Sequence, residues 1–135
     1  MVPSQTAEDY LERIYELIES KGYARVADIA QTLEIAQPTV TRMVQKLAQE
    51  DYLTYERYRG MNLTAKGRAV AEKIRRRHHT LAAFFELLGL SAADVLKEVD
   101  GIEHHLSELA IVRLEHLVQY LQKHSAVVKQ IHASH

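Results

Sequence analysis

Not one of the 135 residues is cysteine. That excludes disulfides, thiolate nucleophiles, iron–sulfur clusters and zinc sites built on sulfur. Any metal held here must be bound by oxygen and nitrogen, a donor set suited to the harder divalent ions. Nor does any apolar run approach the roughly 20 residues that a membrane span needs. The opening Met1-Val2-Pro3-Ser4 lacks the basic-then-apolar pattern of a secretory signal, so a cytoplasmic protein with no membrane partner is expected. Internal repeats and low-complexity tracts are missing as well. A chain of this length forms one domain or two small joined ones, and buries about two-thirds of its unfolded surface.

Net charge is scarce too, at −1, but it conceals an asymmetry. Residues 37–77 carry ten Lys/Arg against four Asp/Glu, while the remainder carries seven against fourteen. A basic middle suits a polyanion, and acidic flanks suit cations. Eight histidines are many for this length and make nitrogen ligands available.

Hydrophobic periodicity predicts a mainly α protein with one small β-hairpin. Leu11, Ile14, Leu17 and Ile18 mark a helix over residues 4–20, capped by Ser4 or Thr6 and ended by Lys21-Gly22. Val26, Ile29, Ala30 and Leu33 mark a short second helix. After the turn 34–37, Pro38 suits the first position of a third, which runs to about Glu50 over Val40, Val44 and Leu47. Leu53 and Tyr55, then Met61 and Leu63, alternate about an Arg59-Gly60 turn, which reads as a hairpin. Thr64 is a cap for a long helix from Ala65 to about Leu88, closed by Gly89. Ser91 caps a helix through about Val99, another begins near Gly101, and Glu108–Lys123 is amphipathic. The tail after His124 has no assignment. The expected division is a winged helix-turn-helix domain over 1–64, a linking helix over 65–90 and a helical domain over 91–135.

Two helices joined by a four-residue turn and followed by a basic hairpin form the winged helix-turn-helix order, in which the second helix enters the major groove of double-stranded DNA. Opposite Val40, Val44 and Leu47 lie Thr41, Arg42 and Gln45, with Gln37, Pro38 and Thr39 at the groove-facing start. Thr, Arg and Gln hydrogen-bond base edges, whereas Lys46 is placed for phosphate. Arg57, Tyr58 and Arg59 at the hairpin tip suit phosphate or minor-groove contacts. Such proteins read pseudo-palindromes as symmetric dimers, so a homodimer is expected.

Acidic residues cluster at both ends of the chain. Asp9 and Glu12 are three apart, and Asp100, Glu103 and His104 stand at i, i+3 and i+4, so each set falls on one helix face. Two carboxylates about 5 Å apart repel by roughly 3 kcal/mol at an effective dielectric of about 20, and a divalent cation would reverse that sign. Glu and His on one helix face also resemble half of a carboxylate-rich dimetal site. His78 and His79 on the long helix are both candidates for a further ligand.

Five segments carry a family resemblance: Glu8-Asp9-Tyr10-Leu11-Glu12-Arg13-Ile14-Tyr15, Lys21-Gly22-Tyr23-Ala24-Arg25-Val26, Val44-Gln45-Lys46-Leu47, Tyr58-Arg59-Gly60 and Gly101-Ile102-Glu103-His104-His105-Leu106. In unbroken order to about Tyr120, they resemble the manganese branch of the diphtheria-toxin-repressor family of metal-dependent transcriptional repressors. The resemblance implies a homodimer with an α-helical metal-binding and dimerisation domain over 91–135, repressing transcription to control manganese uptake. It implies two Mn²⁺ per subunit as a dinuclear cluster, with Zn²⁺, Fe²⁺, Co²⁺ or Cd²⁺ as alternatives. Carried over by motif, the ligands are Asp9, Glu12, His78, Asp100, Glu103 and His104, with Glu12 and Glu103 bridging. His78 is taken over His79 because it follows the Arg that precedes the family's histidine. The family usually has Glu where this chain has Asp100, whose side chain is one methylene shorter and reaches less far toward the second ion. Asp rather than Met at position 9, and no room for an SH3-like C-terminal domain, fit the manganese branch better than the iron-responsive one.

Rival readings are a winged-helix repressor that senses iron, zinc or a small organic ligand, for which Leu63-Thr64-x-x-Gly67 is equally suitable, and a dimetal carboxylate enzyme. A repressor sensing a small organic ligand would require an apolar pocket with few acids, and the acidic clusters argue against it. The enzyme would require an open coordination position and a second constellation for substrate, and it leaves the basic middle unexplained. No enzymatic activity and no organic substrate are therefore expected.

Overall fold

Leu11 and Ile14 lose all exposure on the inner face of α1 (Gln5–Lys21), where helical spacing predicted them. The computed structural model describes residues 5–56 and 59–133, without the side chain of Gln5. The expected cap Ser4, the hairpin-tip residues Arg57 and Tyr58, and His135 lie outside the described residues. The chain divides into two compact units, Met1–Lys73 and Ile74–His135.

In the first unit α1 is followed by α2 (Val26–Leu33), α3 (Gln37–Gln49), β1 (Leu53–Glu56) and β2 (Gly60–Leu63). Ile29, Val40, Val44, Leu47, Leu53 and Met61 join the α1 residues in one core, each large apolar side chain contributing about 1.5–3 kcal/mol by leaving water. The turn between α2 and α3 closes with Glu34 in the left-handed region at φ 56° and with Ile35 N–H donating to the Ala30 carbonyl. Pro38 stands in the first turn of α3, where its missing N–H costs nothing. The hairpin is antiparallel, with Leu53 opposite Leu63 and Tyr55 opposite Met61. Beyond its partner strand, β2 is held by Met61 N–H donating to the Ala24 carbonyl at 3.0 Å.

Two glycines are required here by space. Gly60 has φ +85°, and a Cβ on it would stand 2.5 Å from the Ala24 oxygen. Gly67 opens α4 (Ala65–Leu87) against the chain before the hairpin, and a Cβ there would overlap the Tyr52 carbonyl. Thr64 caps that helix, its Oγ1 accepting from Gly67 N–H at 3.1 Å and donating to the Asp51 carbonyl. Gly67→Ala is expected to destabilise the protein by about 3 kcal/mol, the upper part of the overpacking range, because backbone rather than a flexible side chain must yield. Urea denaturation followed by circular dichroism measures this, and an unchanged midpoint contradicts it.

The second unit holds the later turns of α4 with α5 (Ala92–Ile102), α6 (Glu108–Gln122) and α7 (Ser125–Ala133). Its core is Leu81, Val95, Val99 and Ile111, with Phe85, Ile102 and Leu114 packed against it. Ser91 and Ser107 cap α5 and α6, accepting from Asp94 N–H at 3.2 Å and Ala110 N–H at 3.1 Å. Two expectations change. α5 does not stop near Val99 with a separate helix beginning near Gly101 but runs through Gly101 to Ile102, because Val95, Val99 and Ile102 keep the apolar stripe going. The tail without an assignment contains α7, none of whose residues is buried, with His132 Nε2 2.7 Å from the Leu87 carbonyl. Among the described residues no helix is long and apolar enough to cross a membrane.

Candidate functional site

Glu103 caps the C-terminus of α5 and keeps helical backbone geometry, φ −60° and ψ −26°, its N–H donating to the Val99 carbonyl at 2.9 Å. That last helical step turns its side chain inward, and the residue is 4% exposed. Each carboxylate oxygen faces a different imidazole. Oε2 lies 3.1 Å from His78 Nδ1, and Oε1 lies 3.4 Å from His104 Nε2. The two rings come from opposite sides of the sequence, His78 from α4 and His104 from the turn after α5.

A buried carboxylate is tolerable when its lone pairs are met. A His78 Nδ1–H donating to Oε2 does so in the metal-free protein, the tautomer being the one a carboxylate acceptor demands. The same spacing suits a cation. Ligand atoms at about 2.1 Å from an octahedral ion stand about 3 Å apart when adjacent. Glu103 with His78 is one such pair and Glu103 with His104 is another. Each of the two carboxylate oxygens thus stands beside a nitrogen donor, and the oxygen–nitrogen set fits a divalent ion of the harder class.

Neighbouring ion pairs set the frame. Arg77 is buried, and its guanidinium donates from Nη1 to the Glu103 main-chain carbonyl at 3.3 Å and from Nη2 to Glu108 Oε1 at 3.1 Å. Arg76, one residue earlier and exposed, makes a bidentate pair with Glu115 at 2.9 and 3.0 Å. The hydrogen bond from Arg76 holds the Glu115 carboxyl below its ordinary value, and the same bond raises the guanidinium. Sequence reading passed over Arg77 and Glu108. Their only signal was an Arg beside the candidate histidine and an acid at the start of α6.

The other proposed ligands are placed as follows. Asp100 lies on α5 and is exposed, and because α5 ends at Ile102, His104 projects from the following turn rather than from the helix face that Asp100 occupies. His79 is exposed, its ring edge-on to His78 with centroids 6.5 Å apart. Asp9 and Glu12 are half-buried on α1, in the first unit.

In that unit α3 buries Val40, Val44 and Leu47 completely. This leaves Gln37, Pro38, Thr39, Arg42, Gln45 and Lys46 exposed and Thr41 half-buried. Arg59 projects from the hairpin with its side chain 86% exposed, 3.4 Å from Glu56. An exposed helix bearing amide, hydroxyl and guanidinium groups, with a basic hairpin beside it, presents base-reading and phosphate-binding groups in one unit.

Residues 4–61 match the family model described as the iron dependent repressor N-terminal DNA binding domain, and residues 64–130 match its metal binding and dimerisation domain. The chain is 50% identical over 130 residues to the HTH-type transcriptional regulator MntR of Shouchella clausii, covering 96% of this chain and 91% of that one. It is 51% identical over 122 residues to the protein of the same name from Geobacillus kaustophilus, covering 90% and 86%. Among solved structures it resembles the manganese regulator SloR with a TM-score of 0.74 and 32% identity, covering 89% of this chain. It spans 55% of the length of that solved chain.

Proposed function

We propose that this chain, which belongs to the iron-dependent repressor family, is a Mn²⁺-activated transcriptional repressor that binds double-stranded DNA as a homodimer and controls manganese uptake. The observation that carries the reading is the buried Glu103 carboxylate between the imidazoles of His78 and His104, in a chain half identical to regulators named MntR. Residues 1–64 would bind DNA, 65–90 would link, and 91–135 would bind metal and dimerise. Leu96 on α5 and Leu109, Leu117 and Tyr120 on α6 are 43–62% exposed, an apolar surface that a second copy would cover.

The reading takes Asp9, Glu12, His78, Asp100, Glu103 and His104 as ligands of a dinuclear centre. Asp9 and Glu12 enter on the sequence motif alone. When bound, the ions supply positive charge that offsets the carboxylates. Glu103, His78 and His104 hold oxygen and nitrogen donors toward one place, and each imidazole would present an unprotonated nitrogen to an ion, which a neutral ring does by exchanging tautomer. Asp9 and Glu12 ride on α1 within the DNA-reading unit, so closing the ligand set would restrict that unit's motion and favour the dimer that fits a two-fold operator. A coupling of about 1–3 kcal/mol is typical of such linkage. We assign the chain no catalytic turnover and a cytoplasmic location.

The test is affinity for double-stranded DNA selected from random sequence in the presence of Mn²⁺. It is titrated at fixed salt with Mn²⁺, Fe²⁺, Zn²⁺ and Co²⁺. Tightening by roughly 5–150-fold with Mn²⁺, the span of that coupling, is expected; equal affinity with and without every metal overturns the reading. Mn²⁺ binds weakly in the divalent order, so preference for it must come from geometry and site number. Asp100, one methylene short, bears on this directly. Calorimetry of Asp100→Asn is expected to show the second ion lost before the first, and Asp100→Glu to tighten it. Two equal ions in wild type and Asp100→Asn alike would remove Asp100 from the ligand set.

A further inference from the structure

Among the described residues three polar ones are buried, Arg77, Thr80 and Glu103, and the two charged ones touch. The contact is unusual in kind. Arg77 Nη1 donates to the main-chain carbonyl of Glu103 rather than to its carboxylate, while Nη2 reaches Glu108 Oε1 in the first turn of α6. One planar fork therefore grips both ends of the connection between α5 and α6, which carries His104. It also follows directly from the helix position before His78. A guanidinium paired with the Glu103 carboxylate would compete with any cation. One paired with the carbonyl fixes the backbone, leaves the carboxylate facing the imidazoles, and has its own charge met by Glu108.

We infer that Arg77 is a positioning residue for metal binding: with Glu108 it sets the register of Glu103 and His104 against His78. The inference rests on the metal reading above and adds to it a residue that touches no ion. Lysine cannot replace it, because a single ammonium has no rigid fork to span two acceptors. Partners that orient ligands typically account for about 10–100-fold in metal affinity.

The experiment measures Mn²⁺ binding to the full chain by loss of the free-ion electron paramagnetic resonance signal. The melting temperature and helicity of the metal-free protein are recorded beside it. Arg77→Lys is expected to bind Mn²⁺ about 10–100-fold more weakly, with helicity kept. Glu108→Gln, which releases the fork from its exposed end and buries nothing, is expected to weaken binding in the same direction. Glu115→Gln, which frees the exposed Arg76, is expected to leave Mn²⁺ affinity at the wild-type value. A purely structural Arg77 would move the melting temperature alone. Wild-type Mn²⁺ affinity in both Arg77→Lys and Glu108→Gln overturns the inference, provided Glu103→Ala has lost binding. If Glu103→Ala binds Mn²⁺ like wild type, the metal reading itself has failed, a different and separable result.

Discussion

Glu103→Gln is expected to abolish Mn²⁺-dependent DNA binding while the helices stay in place. Glutamine keeps the volume and one acceptor oxygen in a pocket where the residue is 4% exposed, but it replaces the second oxygen with an amide that cannot ligate. Both donor pairs, with His78 at 3.1 Å and His104 at 3.4 Å, run through this one carboxylate. The loss should therefore exceed the ~10–100-fold that outer partners of a ligand account for. In the metal-free protein the change is worth about 1 kcal/mol, one net hydrogen bond, since the side chain that His78 faces persists. This revises what clustered carboxylates alone suggest. Removing a negative charge would relieve repulsion if Glu103 faced only acids, but its two oxygens face imidazoles. Calorimetry with Mn²⁺ and fluorescence anisotropy on labelled DNA measure the two effects. A variant that still gained DNA affinity on adding Mn²⁺ would show that the centre lies elsewhere.

On the DNA side, Arg42→Ala and Gln45→Ala should each relax base preference by about 1–3 kcal/mol, the worth of a good base-edge contact. Arg59→Ala should instead weaken binding evenly across sequences and lower the salt slope by about one counterion. The distinction follows from position. Arg42 and Gln45 are exposed on the helix whose opposite face is pinned by Val40, Val44 and Leu47. Arg59 extends from the hairpin with its side chain 86% exposed. Its pairing with Glu56 is exposed on both sides and offers little resistance to capture by phosphate. Selection of binding sites for each variant, with affinities at two or more salt concentrations, separates the classes. Unchanged preference in the two α3 variants together with an unchanged slope in Arg59→Ala would refute the groove assignment.

The winged helix-turn-helix was legible because its signals are local. Helical spacing of Val40, Val44 and Leu47, Pro38 in a first turn, and alternation about Gly60 each need only a few residues of chain. Caps were legible where a hydroxyl preceded an apolar stripe, as at Thr64 and Ser91. Ser107 directly precedes the amphipathic stretch from Glu108 and caps α6 in the same way, a role not assigned from the sequence. The end of α5 was misread because Gly101 looks like a stop, and an exposed glycine with open space around it costs only about 1 kcal/mol in a helix that packing already holds. α7 escaped notice because it buries no residue, so hydrophobic periodicity had little to register.

By itself the sequence determined the donor chemistry, oxygen and nitrogen without sulfur, and the separation of a basic DNA-reading face from acidic ends. It also determined the family, because those properties reside in residue identity and short spacing. What only the tertiary structure decided is which atoms meet. Glu103 and His104 are neighbours in the chain, but whether their groups converge depends on the last turn of α5, and His78 is 25 residues away. Packing of α4 against α5 and α6 brings the His78 ring to one carboxylate oxygen and leaves the adjacent His79 exposed. The same packing turns Arg77 inward to the Glu103 carbonyl while Arg76, one position earlier, lies at the surface with Glu115. Consecutive residues on a helix point about 100° apart, so identity alone cannot tell a ligand or its brace from the charge beside it; the core that each helix face seeks makes that choice.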